Sequence, residues 1–315
     1  MKEIILSNFY IAVNAVAPMV VLLIIGAIIR RKNWLNGQEL KRLNGVLLKV
    51  FFFFMLFNAT YHMRPGSFRL HIVGYIIASV FLIICMGWLF AKKMVDNPKS
   101  QGALVQALFR SNYGLMGVAI VMNLYPPTES GVAVILTALI VPMNNAIAVA
   151  LLEHFRGGSM TFKRLFRALF MNSMTLGVAC ACVLMLLGIK LPAFLDNTSK
   201  QLAMMTPHLA IIILRASTME VGLPNMKYLM YCVVGRLLVI PAIMLSLTYS
   251  IGFRGVEFVT LLIMFCGPAA TVTYATAQDC ESDDVLAGNA VIYSTVFSCI
   301  TLVGWIFVWK MLGAF

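Results

Sequence analysis

Apolar residues fill this chain in long runs, and polar residues gather in short gaps between them. A lipid core of about 30 Å is crossed by about 20 helical residues. Runs of that length lie over 10–30, 43–61, 70–91, 104–124, 131–152, 168–189, 202–222, 228–251, 257–277 and 285–310. The pattern predicts an all-α integral membrane protein with ten transmembrane helices. No small-residue cleavage site follows the first run, so it reads as a span and not as a removed signal peptide.

Two runs are interrupted. The fourth contains Phe109-Arg-Ser-Asn-Tyr-Gly-Leu-Met-Gly-Val-Ala-Ile120, where Gly114 and Gly117 weaken the helix and Asn112 brings an amide to membrane depth. The ninth contains Phe265-Cys-Gly-Pro-Ala-Ala-Thr-Val-Thr-Tyr274, and Pro268 can neither donate to the helix ladder nor fit against the preceding turn. A break frees N–H groups on one half-helix and carbonyls on the other. The N–H end favours an anion. Irregular backbone at this depth survives only inside protein or along a cavity.

The most polar stretch of the middle, Glu153 to Arg167, divides the chain. Residues 1–155 form a first five-span half, 156–167 a cytoplasmic linker and 168–315 a second half. Five is odd, so the second half enters the membrane in the opposite sense and the halves form an inverted repeat. The interrupted span is fourth in each half, with Asn112 and Pro268 156 positions apart. Matched interruptions of this kind point to a transporter binding site between the halves.

Composition agrees with this reading. The chain is 61% hydrophobic and 11% charged, against about 25% charged for soluble domains. The net charge of +12 would suggest nucleic acid in a soluble protein. Here the charges lie in short loops and follow the positive-inside rule instead. Thirteen Lys and Arg, from Arg30 to Lys227, fall on one side and seven, including Lys2, Lys190 and Lys310, on the other. The first side is therefore cytoplasmic, both termini lie outside, and the host is a cell (inner or plasma) membrane. Seven scattered cysteines form no disulfide framework and read as small core residues. There is no P-loop, H-E-x-x-H or G-x-S-x-G motif, so the chain reads as no enzyme, with no cofactor and no metal.

Polar residues inside the spans are the candidate chemistry. Asn144 and Asn145 follow Pro142 in the fifth span and point about 100° apart, so one can bond a neighbouring helix while the other lines a cavity. Thr271 and Thr273 follow Pro268. Arg215 lies in the apolar part of the seventh span; it pairs with Glu220, snorkels to the surface or binds substrate. His208 reads as an interfacial histidine. Arg110, Arg236 and Lys49 read as snorkelling anchors. No span holds a carboxylate at its middle, which argues weakly against a dedicated ion site.

These motifs resemble the auxin efflux carrier family, whose bacterial members include malate-permease-like proteins. Asn112-Tyr-Gly-Leu-Met-Gly-Val-Ala-Ile120 looks like the family's fourth-span pattern, except that Ala119 stands at the family proline, so the break there has to rest on Gly114 and Gly117. Pro142 through Val149 is similar to the fifth-span pattern. Arg215 stands where the family has glycine, after Pro207 to Leu214. Pro268, Ala275 through Asp279, Ala287 and Ser294 through Thr301 follow the family order. The resemblance implies a scaffold from spans 1, 2, 6 and 7 and a mobile transport domain from spans 3–5 and 8–10. Helices 4 and 9 would be broken and cross within that domain, which moves like an elevator. It also implies a substrate site at Asn112, Gly114, Asn144, Asn145, Pro268, Thr271 and Thr273, with Arg215 in reserve. The expected partners are a small organic anion and the bilayer; a homodimer is compatible with the sequence. Two rivals remain: a sodium-coupled organic-anion symporter of the bile-acid carrier type, and a membrane sensor that transports nothing.

Overall fold

The computed structural model describes residues 2–62, 70–125, 127–157, 173–217 and 222–315. Among these residues there is no strand beyond one isolated bridge pair. The helices are α1 (Lys2–Arg31), α2 (Gly37–Tyr61), α3 (Leu70–Met94), α4 (Pro98–Phe109) and α5 (Val118–Leu124), then α6 (Pro127–Arg156) and α7 (Ser173–Leu186). They continue with α8 (Ala193–Ser217), α9 (Met226–Ile251), α10 (Gly255–Cys266), α11 (Val272–Asp279) and α12 (Asp284–Met311). Wider π-helical turns precede α5 at Tyr113–Gly117 and lie inside α2 at Leu47–Phe51 and inside α9 at Gly235–Val239.

Among the described residues, six helices are long and apolar enough to cross a membrane: Ile5–Arg31, Gly37–Tyr61, His71–Met94, Ala133–Arg156, Met226–Ile251 and Asp284–Met311. This is a multi-pass membrane protein. Large apolar side chains such as Leu6, Phe81, Leu89 and Ile300 stand on the outside, as a lipid solvent requires. The fourth and ninth expected spans are each cut into two short helices, neither long enough to cross by itself. Of the sixth, only 173–186 is helix among the described residues, and the linker expected at 156–167 lies outside them from residue 158.

Local chemistry sets the helix starts. Asn36 caps α2 in a reciprocal capping box with Glu39. Asn97 accepts the N–H of Lys99 while Pro98 takes the first helical position of α4. Asn225 caps α9 and Asp283 caps α12. α8 packs on α1 and α2, and α2 packs on α7; this set meets the rest of the molecule where α1 packs on α12 and α2 on α6, and α3, α4, α6 and α9–α12 pack around the two short pairs. Two cysteines depart from the expected core role: Cys180 and Cys182 are exposed on α7. That helix has almost no polar face, so small residues cover its outer side as readily as its inner one.

Candidate functional site: the crossing of two broken helices

α4 stops at Phe109 and α10 stops at Cys266. Arg110 then takes an extended conformation (φ −85°, ψ 91°), as does Gly267 (φ −62°, ψ 149°), the conformation that the following Pro268 demands. The two extended stretches run antiparallel and pair. Asn112 N–H donates to Pro268 O at 2.8 Å, and Ala270 N–H donates to Arg110 O at 2.9 Å. Ser111 and Ala269 form the bridge between them, and Ala269 N–H also donates to Ser294 Oγ at 3.0 Å. The crossing thus satisfies part of the backbone that the breaks set free, which makes irregular chain tolerable at this depth.

The break in the fourth span does not rest on Gly114 and Gly117. It lies at Arg110–Asn112, before both, and the partner strand imposes it. The glycines serve close packing instead. A Cβ at Gly117 would stand 2.8 Å from Tyr113 Cδ2 and 3.1 Å from Ile263 Cγ2. One at Gly114 would stand 3.0 Å from Thr137 Cγ2.

Arg110 and Arg236 are not snorkelling anchors. Both are buried, at 2% and 1% exposure. Arg110 follows the end of α4, twelve residues beyond Pro98, roughly 18 Å, or about half of a 30 Å core. Its side chain cannot reach an interface from there. Arg236 donates to Leu108 O at 2.7 Å, Met264 O at 2.8 Å and Gly267 O at 2.8 Å. These carbonyls lie in the last turns of α4 and α10, where helical bonding leaves acceptors unpaired and the helix dipole is negative. One guanidinium therefore closes both broken ends. Arg110 Nη1 donates to Thr276 Oγ1 at 2.8 Å, and its Nη2 donates to Asn145 Oδ1. Thr276 passes its own hydroxyl proton to Val272 O at 2.8 Å. Among the described residues, no carboxylate pairs with either guanidinium. Lys49 is exposed, as an anchor would be.

The expected site residues divide accordingly. Asn112, Gly114, Asn145, Pro268, Thr271 and Thr273 come together at the crossing or on the half-helices that leave it. Asn144 is buried beside Asn145. Of the two adjacent amides, Asn145 bonds Arg110, while Asn144 Oδ1 finds no partner. Also without partners are the buried Gln106 amide, Ser111 Oγ, Asn112 Nδ2 and Thr273 Oγ1. Arg215 stands apart, on α8 where it meets α1. A Cβ at Gly26 would lie 3.0 Å from Arg215 Cβ and 2.4 Å from Ile212 O, so the glycine allows that approach. Its expected partner Glu220 lies outside the described residues. His208 is exposed and its ring bonds Met204 O of its own helix at 2.9 Å. Sequence reading missed Arg110, Arg236, Gln106 and Thr276. The usable signal was depth counted from the Asn97 cap in place of the onset of hydropathy.

Interrupted helices that cross inside a multi-pass helical protein are a form in which membrane transporters build their binding sites. Residues 159–306 match the family model described as membrane transport protein, which is that of the auxin efflux carrier family, a family of transporters. The match takes in Arg236, Pro268, Thr273 and Thr276, and ends short of Arg110 and Asn112 on the other strand. No curated protein matches the chain.

Proposed function

We propose that the protein is a secondary transporter of a small organic anion, a carboxylate, held at the crossing and moved by elevator-like alternating access. In this reading the chain has ten spans in two inverted halves, 1–155 and 168–315, with both termini outside. α1, α2, α7 and α8 are the scaffold, and α3–α6 with α9–α12 are the moving body. One observation carries the reading. The two halves exchange reciprocal backbone bonds, Asn112 to Pro268 and Ala270 to Arg110, and beside them the buried Nδ2 of Asn112 has no partner. Native proteins leave few buried polar groups unpaired, and an exception at a crossing of broken helices calls for an explanation, of which a ligand is one. The onward half-helices begin at the same place and offer their first N–H groups to an anion.

The test is counterflow. Proteoliposomes holding the purified chain and an unlabelled carboxylate are expected to take up the same compound in labelled form. Asn112→Ala is expected to abolish uptake while the melting transition persists. Wild-type rates in that variant would move the site elsewhere. Repeating the assay with potassium in place of sodium tests the symporter alternative, since uptake that stops without sodium favours it.

A further inference from the structure

Arg236 and Arg110 differ in how far the protein satisfies them. Arg236 spends a donor on each of three carbonyls. Arg110 has five N–H groups, of which one meets Thr276 and one meets Asn145, both neutral oxygens. Several polar atoms left unpaired belong to residues near Arg110 or its two partners along the chain. Gln106 sits one helical turn before Arg110 and is fully buried with neither amide atom bonded. Asn112 sits two residues after it, just past the bridged Ser111, and its buried Nδ2 has no partner. Thr273 sits three residues, about one turn, before Thr276 and is fully buried with a free hydroxyl. Gln106 Nε2, Asn112 Nδ2 and the Thr273 hydroxyl can all donate, and so can the remaining guanidinium N–H groups.

Against two unpaired acceptors, Gln106 Oε1 and Asn144 Oδ1, stand the spare donors of a buried cation together with Gln106 Nε2, Asn112 Nδ2 and the Thr273 hydroxyl; this excess of donors fits a ligand made of acceptors with a negative charge. We propose that Arg110 recognises the charge of the transported anion, its planar fork taking a substrate carboxylate while Gln106, Asn112 and Thr273 donate around it. This rests on the reading of the crossing as the substrate site of an anion carrier. Asn145 and Thr276 hold the fork in place from α6 and α11. Guanidinium suits this task because it stays protonated and meets a carboxylate with two parallel N–H bonds.

The experiment uses the full chain in proteoliposomes with labelled succinate and benzoate and, as uncharged isosteres, succinamide and benzamide. The wild type is expected to exchange a carboxylate and neither amide. Arg110→Gln is expected to raise KM for the carboxylate about ten- to hundredfold, the range for losing hydrogen bonds to a charged group, and to remove the preference over the amide. Arg110→Lys keeps the charge and loses the fork, so KM is expected to rise about tenfold; this variant decides the matter if the Gln variant does not fold. An unchanged KM in the Lys variant, or a Gln variant that keeps its carboxylate preference, overturns the assignment of Arg110. If Asn112→Ala is inactive at the same time, the crossing stands as the site. A wild-type chain that moves no carboxylate, or an Asn112→Ala variant that moves it as the wild type does, overturns the underlying reading instead.

Discussion

A guanidinium at mid-membrane is tolerated only when its donors are used, and Arg236 uses them on the carbonyls of two helix ends at once. This arrangement answers a problem that any crossing of broken helices creates. Two negative helix ends face each other, with carbonyls that no helix bond reaches. Replacing Arg236 with Ala would leave three buried acceptors unpaired, each worth about 1–3 kcal/mol. Relief of burying the cation offsets part of that loss. We expect Arg236→Ala to lower stability by about 3 kcal/mol, read as a clear fall in melting temperature of the purified protein. Arg236→Lys should recover only part of it, because an ammonium on a flexible stem cannot meet three carbonyls in a fixed plane. A melting temperature equal to the wild type in the Ala variant would show that the capping contributes nothing. The sequence contained this residue in plain view inside an apolar run. It was unreadable as a cap because its acceptors come from helices 128 and about 30 positions away.

At the scale of elements, the two breaks were unequally legible. Pro268 announces its own break by covalent structure. The break at Arg110 has no proline, and pairing with the strand around Pro268 imposes it, so only tertiary structure could locate it. Gly114 and Gly117 drew attention to the right span for the wrong reason, since their small size serves packing against Thr137 and Ile263. A different element contact carries a pH prediction. The end of α2 meets the start of α8 through His62 Nε2 on Asp196 Oδ1 at 2.9 Å, Lys200 Nζ on Asp196 Oδ2 at 2.7 Å, and Asn58 Nδ2 on Ser199 Oγ at 3.1 Å. The hydrogen bond from Lys200, and after it the charge of His62, hold the Asp196 carboxyl below its usual pKa. A depressed carboxylate pKa stabilises the fold above the ordinary carboxylate range. That contribution disappears as pH falls through the lowered value. Asp196→Asn should therefore melt below the wild type near neutral pH, and the gap should close on acidification. A gap that stays constant with pH would remove Asp196 from the account of stability.

At the scale of the whole molecule, an elevator requires one body to slide past another, so bonds between the bodies must break in each cycle. The contact between α1 and α5 is one of these: Asn123 Nδ2 donates to Ala15 O at 3.2 Å, scaffold to moving body in the proposed division. Such a bond is worth about 0.5–1.5 kcal/mol and yields to thermal motion, whereas a covalent tie does not. In a background without the seven native cysteines, we expect Ala15→Cys with Asn123→Cys to form a cross-link under oxidation. Counterflow should then stop, and reduction should restore it. Each single variant should transport at a rate unaffected by oxidant, because nothing then joins the bodies. Binding measured by carboxylate-dependent thermal stabilisation should survive the cross-link, since the crossing lies within the moving body and is not itself distorted. Transport that continues unabated in fully cross-linked protein would mean that α1 and α5 travel together, and the division of the molecule into a fixed and a moving body would have to be redrawn.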